Sequence, residues 1–134
     1  MTARAYDIMD ELPAIFANVA GLDAADVEIG YRDPEHIQAG ELPRVLIYNP
    51  TTADTEPPVY GLRSVEYGYV VLVVGSLDAE EATLELCEQM AIEVAGAALT
   101  NADRAYMDPG TILTDADRNV SLVVSALIAE WEGP

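Results

Sequence analysis

The fold is decided by the stretch from Val59 to Val74, VYGLRSVEYGYVVLVV. Its odd positions from Val65 to Val73 are all apolar or aromatic, whereas its even positions change from polar to apolar after Glu66. Side chains alternate between the two faces of a strand. The pattern therefore predicts a long strand that is covered along one face and, towards its end, on the other face as well.

One helix is predicted before this strand in the sequence, and a second helix is predicted after it. Residues 3–20 carry apolar side chains at three- and four-residue spacing, and Pro13 is expected to kink or break that helix. Residues 78–99 are expected to begin with a capping box made by Asp78 and Glu81. Both helices therefore present one apolar stripe to a common core.

The remaining predicted elements are short strands and loops. Strands are expected at residues 26–31, 44–48, 105–107, within 111–119, and at 120–131. The polar, proline-rich segment at residues 51–58, TTADTEPP, predicts a loop. In the last strand, even and odd positions are expected to face opposite sides of the sheet. The even positions run from Val120 to Ile128, and the odd apolar positions run from Val123 to Trp131.

These elements predict one domain, residues 1–134, of the α+β class. Its sheet is expected to be mixed, mainly antiparallel and of four to six strands, with two helices packed on one face. Two helices are too few to cover both faces of such a sheet. The second face is therefore expected to need a partner.

The charge excludes several classes of partner. The chain has 24 acidic residues against six arginines and no lysine, a net charge of -18 and a pI near 4.1. Such a surface repels nucleic-acid phosphates and anionic lipid, so binding to DNA, RNA or a membrane is not expected. Two origins of the acidity stay open: a salt-adapted or high-GC host, and a negative surface with a role of its own.

Residue patterns for catalysis or metal binding are incomplete. Cys87 is the only cysteine and His36 the only histidine. Asp115, Asp117 and Asn119 match the first ligands of a calcium-binding loop, but the glycine and the bidentate glutamate that such a loop needs are missing. No nucleophile motif or phosphate-binding loop is present. We predict no catalytic, cofactor or metal site.

Four segments carry a resemblance to a known family. They are ELPRVLIYNP (41–50), YGYVVLVVGS (67–76), DAEEATLELCEQMAIEVAGAAL (78–99) and NVSLVVSALIAEW (119–131). In this order, after a leading amphipathic helix, they resemble the tail-terminator and tail-completion proteins of tailed bacteriophages, with their minor tail and neck relatives. The resemblance extends over nearly the whole chain and rests on the order and size of the elements.

The resemblance implies a structural protein of the virion without catalytic residues or cofactor. Such proteins form a homohexameric ring that caps the tail tube, stops its polymerisation and joins the tail to the head connector protein. The expected partners are further copies of the chain, the tail tube protein and the connector, in a particle assembled in the host cytoplasm. Six copies at -18 each carry -108, so DNA would pass through without specific binding.

Acidic neighbours in a ring repel each other unless their few cations lie at the contacts. We therefore expect arginines to face acids of an adjacent subunit. Two strand tyrosines are further interface candidates, although strand propensity and core packing are the simpler explanation of them. The candidate interface residues are Arg44, Arg63, Arg104, Arg118, Tyr67 and Tyr69.

Other functions remain open from the sequence. The chain is also compatible with a head-completion or connector protein of the same particle. A small acidic ligand- or partner-binding domain from a salt-adapted organism is a further alternative, as is a small enzyme from such an organism.

Overall fold

The structure, a computed structural model, describes residues 3–59, 62–108, 110–115 and 119–133. It contains two α-helices and six strands, separated by three short 3-10 turns. The elements are α1 (Arg4–Phe16), β1 (Val27–Ile29), β2 (Arg44–Val59), β3 (Leu62–Ser76), α2 (Glu80–Gly96), β4 (Arg104–Met107), β5 (Thr111–Asp115) and β6 (Val120–Gly133); the 3-10 turns are Ala24–Asp26, Pro34–His36 and Ala39–Glu41.

The six strands form one mixed sheet in the order β1-β2-β3-β6-β4, and β5 pairs with β6 on the same side as β4. β1 runs parallel to β2, and the other neighbours are antiparallel. This arrangement confirms the predicted α+β class. The stretch that alternates most clearly, β3, lies in the middle of the sheet, between β2 and β6.

Both helices pack on one face of the sheet and form the main core with it. This core contains Ile8, Met9, Leu12 and Phe16 of α1, Cys87, Met90 and Val94 of α2, and the odd-numbered residues Val65 to Val73 of β3. Odd residues of β6, among them Val123 and Leu127, lie in the same core. The alternation predicted for both long strands is confirmed, because odd residues join the main core and even residues, among them Leu72, Val74 and Val120, join a second cluster on the other face.

The helix boundaries differ from the expected ones. α1 continues through Pro13 and ends at Phe16, so the proline lies in the final turn rather than at a break. α2 begins after Ala79 without a side-chain cap hydrogen bond, so the capping box expected from Asp78 is wrong. Thr83 instead donates its hydroxyl proton to Ala79 O at 2.7 Å and closes the first turn from within.

The prediction of a loop at residues 51–58 is wrong. β2 continues to Val59 and pairs with β3, with register shifts after Tyr48 and after Asp54. β1 ends at Ile29, opposite Ile47, so the later part of β2 has β3 as its described neighbour and forms an edge of the sheet. An edge strand tolerates proline because one row of its N–H groups needs no partner strand.

The second face of the sheet is covered in part by the chain itself. The segment 30–43, which we call the flap, contains two of the 3-10 turns. Its Ile37 is buried with Leu46, Leu72, Val74 and Val120, and its Leu42 packs against the same cluster. The loop expected here therefore covers one half of the face that the sequence left open. Over the described residues, neither helix combines the length and apolarity needed to cross a bilayer.

Candidate functional site

No metal-binding group is assembled in the part of the chain that the structure describes: no three His, Cys, Asp or Glu side chains lie close enough together to hold an ion. His36 is exposed, at the end of the 3-10 turn Pro34–His36. Of the residues that match a calcium-binding loop, Asp117 lies outside the described residues, as does the side chain of Asp115. The structure therefore does not test that pattern.

The nucleophilic side chains with described contacts have structural roles. Cys87 is buried on α2, and burial raises the pKa of its thiol to about 11. A thiol with such a pKa carries almost no thiolate at neutral pH, so it is a poor nucleophile. The hydroxyl groups of Ser121 and Ser125 donate hydrogen bonds to the backbone oxygens of Leu77 and Asp108, respectively. These bonds tie β6 to the loops beside it.

The candidate tyrosines lie in the core of their own chain rather than on an open surface. Tyr67 and Tyr69 point from β3 toward the helices and are 7% and 3% exposed. The Tyr69 hydroxyl donates to Ala5 O at 2.6 Å and so joins α1 to the central strand. Burial raises the pKa of Tyr69 well above its usual range. Both tyrosines therefore pack within their own chain, and their role in a subunit contact stays a prediction.

Arg44 is engaged within its own chain, and its expected contact with a neighbouring subunit stays a prediction. It joins Arg32, Glu28 and Glu41 in a cluster of two cations and two anions, which we call the ion-pair cluster. Arg32 lies 2.7 Å from Glu28 and 2.8 Å from Glu41, and Arg44 lies 3.4 Å and 3.8 Å from the same carboxylates. Arg44 also donates to Ala25 O at 2.7 Å.

The ion-pair cluster favours the charged forms of Arg32 and Glu41. Its hydrogen bond from Arg32 lowers the pKa of Glu41, and the bond to Glu41 raises the pKa of Arg32. Sequence reasoning missed this cluster. Glu28 and Arg32 at four-residue spacing were visible, but only the fold brings Glu41 and Arg44 beside them.

Two candidate arginines remain on the surface. Arg63 pairs with Asp54 at 2.8 Å, and the side chains are about half exposed. Arg104 pairs with Glu130 and is 76% exposed. Arg118 lies outside the described residues. Because Arg63 and Arg104 can still reach a neighbour, the prediction that arginines face acids of an adjacent subunit stays open for these two as well.

Arg104 lies beside an acidic cavity of about 380 Å³ at the end of the sheet. The other charged residues of its lining are Glu66, Asp103, Glu130 and Glu132. Asp103 accepts the backbone N–H of Glu132 at 2.8 Å, and Glu130 pairs with Arg104. Asp103 and Glu130 are therefore already engaged in contacts within the fold.

An apolar strip crosses the uncovered half of the second face. Strand register places Tyr48 of β2 beside Val70 of β3 and Ala126 of β6, and it places Ile128 of β6 beside Tyr106 of β4. We call these five residues the apolar belt. Tyr106 is 47% exposed, Ala126 is also exposed, and the other three are half-buried. Neither core cluster includes Val70, Ala126, Ile128 or Tyr106.

The belt continues over the edge of the sheet into a groove of about 570 Å³. Tyr48 belongs to both features, and Tyr31 packs edge-on against it with ring centroids 5.1 Å apart. Tyr6 and Ile29 also line the groove and are largely exposed. Exposed aromatic residues with an apolar body and a polar tip are enriched at protein interfaces. Belt and groove share Tyr48 and together form an exposed apolar surface on the described part of the chain.

The sequence carried a partial signal for the belt. Alternation in β3 and β6 assigned Val70, Ala126 and Ile128 to the second face. The alignment of Tyr48 and Tyr106 with them depends on strand order, which alternation does not contain.

No family model matches the chain, and no curated protein is significantly similar to it in sequence. Function must therefore be inferred from the fold and its surfaces.

Proposed function

We propose that this chain is a structural protein of a tailed-bacteriophage particle. It assembles as a homohexameric ring that caps the tail tube, stops tube polymerisation and joins the tail to the head connector protein. The order of its elements, which resembles that of tail-terminator proteins, suggests the class. The observation that carries the proposal is the apolar belt: an α+β sheet with helices on one face and an incompletely covered apolar strip on the other.

The belt supports assembly for an energetic reason. Burying apolar surface contributes about 25 cal/mol per Å², so half-buried Val70 and Ile128 and exposed Tyr106 favour a state in which a neighbour covers them. The net negative charge acts in the opposite direction, because it makes copies of the chain repel each other and keeps a single copy soluble. Belt contacts between copies therefore compete with repulsion, and assembly should strengthen as salt screens the charge.

A ring built this way would still present acid to its partners and to DNA. In the described residues of α2, the charged side chains are all glutamates: Glu80, Glu81, Glu85, Glu88 and Glu93. A helix of this kind on a ring surface repels phosphate. The duplex could then slide through the ring without being retained.

The proposal is tested by measuring mass and shape in solution. The purified chain is examined by light scattering, native mass spectrometry and negative-stain electron microscopy over a salt series. Each sample is measured alone and with a tail tube protein from the same phage genome. Rings of six copies, and tubes of limited length when both proteins are present, are the expected result. A monomer under all of these conditions contradicts the proposal and favours the small partner-binding domain.

A matched pair of substitutions identifies the contact surface. Ile128→Asn places an uncharged polar group in the belt, and Ile92→Asn does the same on α2, where Ile92 is 61% exposed on the opposite side of the sheet. Ring formation should be lost with Ile128→Asn and retained with Ile92→Asn. Circular dichroism confirms that both variants are folded. Equal assembly by both variants contradicts the role of the belt.

A head-completion or connector protein would also form rings. It differs in its partner, because it would bind the head portal rather than the end of the tube. Capping of tube ends in electron micrographs therefore separates the two.

A further inference from the structure

We propose that the flap, residues 30–43, is a latched cover: the ion-pair cluster holds it on the sheet, and without the latch it lifts as a unit while the rest of the domain stays folded. Lifting uncovers the buried side chains Leu46, Leu72, Val74 and Val120. This inference goes beyond the proposed function and does not depend on ring formation.

The first observation is that the flap is organised within itself. His36 and Ile37 donate their N–H groups to Asp33 O and Pro34 O, and Glu41 donates to Gln38 O, at 2.8 to 3.1 Å. The described link from its first residue to the sheet is Gly30 N–H donating to Ile47 O at 2.8 Å. A segment whose backbone bonds are internal can leave the sheet without breaking a ladder.

The second observation is the small apolar anchor. Ile37 and Pro34 are buried, and Leu42 is half-buried against the cluster on the second face. The flap provides few apolar contacts compared with the two helices that cover the other face. Its attachment therefore depends strongly on side-chain contacts at its two ends.

The third observation is that the ion-pair cluster joins those two ends. Arg32 lies two residues after Gly30 at the start of the flap, and Glu41 lies two residues before its end at Pro43. Arg32 bonds Glu41 at 2.8 Å and Glu28 of β1 at 2.7 Å, so one guanidinium ties both ends to the sheet edge. Arg44, at the start of β2, completes the cluster from the sheet side. Removing Arg32 therefore removes both of the shortest bonds in the latch.

The fourth observation is a hinge at one end. Gly30 has φ of +115°, which residues with a side chain rarely adopt. Within the described residues, the Nε–H groups of Arg32 and Arg44 are buried and lack a hydrogen-bond partner. The latch is thus strong enough to close the flap but incompletely satisfied when closed.

Opening would extend the apolar belt. Leu72 lies two residues from Val70 on the same face of β3, and the half-buried Val124 lies beside Leu72 on β6. The open state therefore exposes one apolar surface from the belt to the flap-covered end of the sheet. Under the proposed function, this enlarged surface is available to a second copy of the chain.

The test uses two thiols on opposite faces of one sheet. Val74→Cys places a near-isosteric thiol under the flap, and the natural Cys87 projects from α2 into the core on the other face of the sheet; both positions are 0% exposed. Modification by an aromatic disulfide reagent is followed by mass spectrometry. Each rate is normalised to the rate of the same thiol in the denatured chain, which removes the effect of the raised pKa of Cys87.

Local opening predicts that Cys at position 74 reacts several-fold faster than Cys87. Adding Arg32→Gln should raise the rate at position 74 by roughly fivefold, the scale for losing partly exposed ion pairs, and leave Cys87 unchanged. The matched control is Arg63→Gln, which removes the pair with Asp54 at the far end of the sheet and should alter neither rate.

Equal protection of the two thiols overturns the proposal, because the flap then opens only with global unfolding. Equal acceleration of both thiols by Arg32→Gln, or an equal effect of Arg63→Gln, also overturns it. Hydrogen exchange on the otherwise natural chain is the second measurement, in case Val74→Cys disturbs folding. Arg32→Gln should speed exchange at residues 36–42 and leave β3 and β6 protected; unchanged exchange at 36–42 refutes the latch.

Discussion

Gly75 marks the closest approach of α2 to the sheet, and replacing it with alanine should destabilise the protein. A Cβ at Gly75 would lie 2.0 Å from Thr83 Oγ1, 3.1 Å from its Cβ and 3.2 Å from its Cγ2. Both branches of Thr83 surround the new methyl group, so rotating the side chain exchanges one clash for another. Thr83 Oγ1 is also bonded to Ala79 O. The first turn of α2 must therefore move.

The expected cost follows from overpacking. One extra carbon in a well-packed contact costs about 1–3 kcal/mol when neighbouring elements must shift. Gly40→Ala is the matched control, because nothing lies within 4 Å of a Cβ at Gly40 and its φ is not positive. That variant should stay within about 0.5 kcal/mol of the natural chain.

The assay is urea unfolding followed by the fluorescence of Trp131, the single tryptophan. Gly75→Ala should lower the free energy of unfolding, and adding Thr83→Ala should restore most of the loss, because it removes the clashing atoms. A coupling of at least about 1 kcal/mol between the two substitutions is expected for residues in direct contact. If Gly75→Ala is as stable as Gly40→Ala, or if Thr83→Ala gives no rescue, the contact described here is wrong.

Three further predictions concern side chains that join the helix layer to the sheet. Tyr69→Phe removes the bond to Ala5 O and should cost about 1 kcal/mol in urea unfolding, whereas Tyr106→Phe, on the exposed side, should be neutral. Burial raises the pKa of Tyr69 above its ordinary value of 10.0, so native stability should fall as pH rises past about 10. The fall should be steeper in the natural chain than in Tyr69→Phe, and parallel curves would contradict this. The Arg4 guanidinium lies 3.9 Å from the ring centre of Trp131, so Arg4→Gln should change the native emission maximum and cost about 0.5–1 kcal/mol, and an unchanged spectrum with unchanged stability would argue against the contact.

The strand faces could be predicted from sequence because a local rule sets them. Alternation assigned the odd residues from Val65 to Val73 to one side of β3 and the even residues from Val70 to Val74 to the other side. The structure buries the odd residues under the helices. The same rule assigned both sides of β6. It failed at residues 51–58, where prolines and polar side chains indicated a loop and pairing with β3 made a strand.

The candidate interface shows the limit of local reasoning. Tyr67 and Tyr69 were visible as strand tyrosines, but only the position of α1 decides that they are buried. Arg44 was one of a few scarce cations, and only the fold of the flap gives it Glu41 and Glu28 as partners. Tyr48 and Tyr106 are 58 positions apart and join one belt only because β2, β3, β6 and β4 lie side by side.

The sequence by itself determined the α+β class, which side of each long strand faces the helices, and the acidic, lysine-free composition. Hydrophobic periodicity encodes these properties because each residue's side depends only on its place in the strand or helix. The tertiary structure alone decided the strand order, the extension of β2, the flap over the second face and the belt that remains uncovered. Those features depend on which distant segments pair, and pairing is set by the packing of the whole chain rather than by any local pattern.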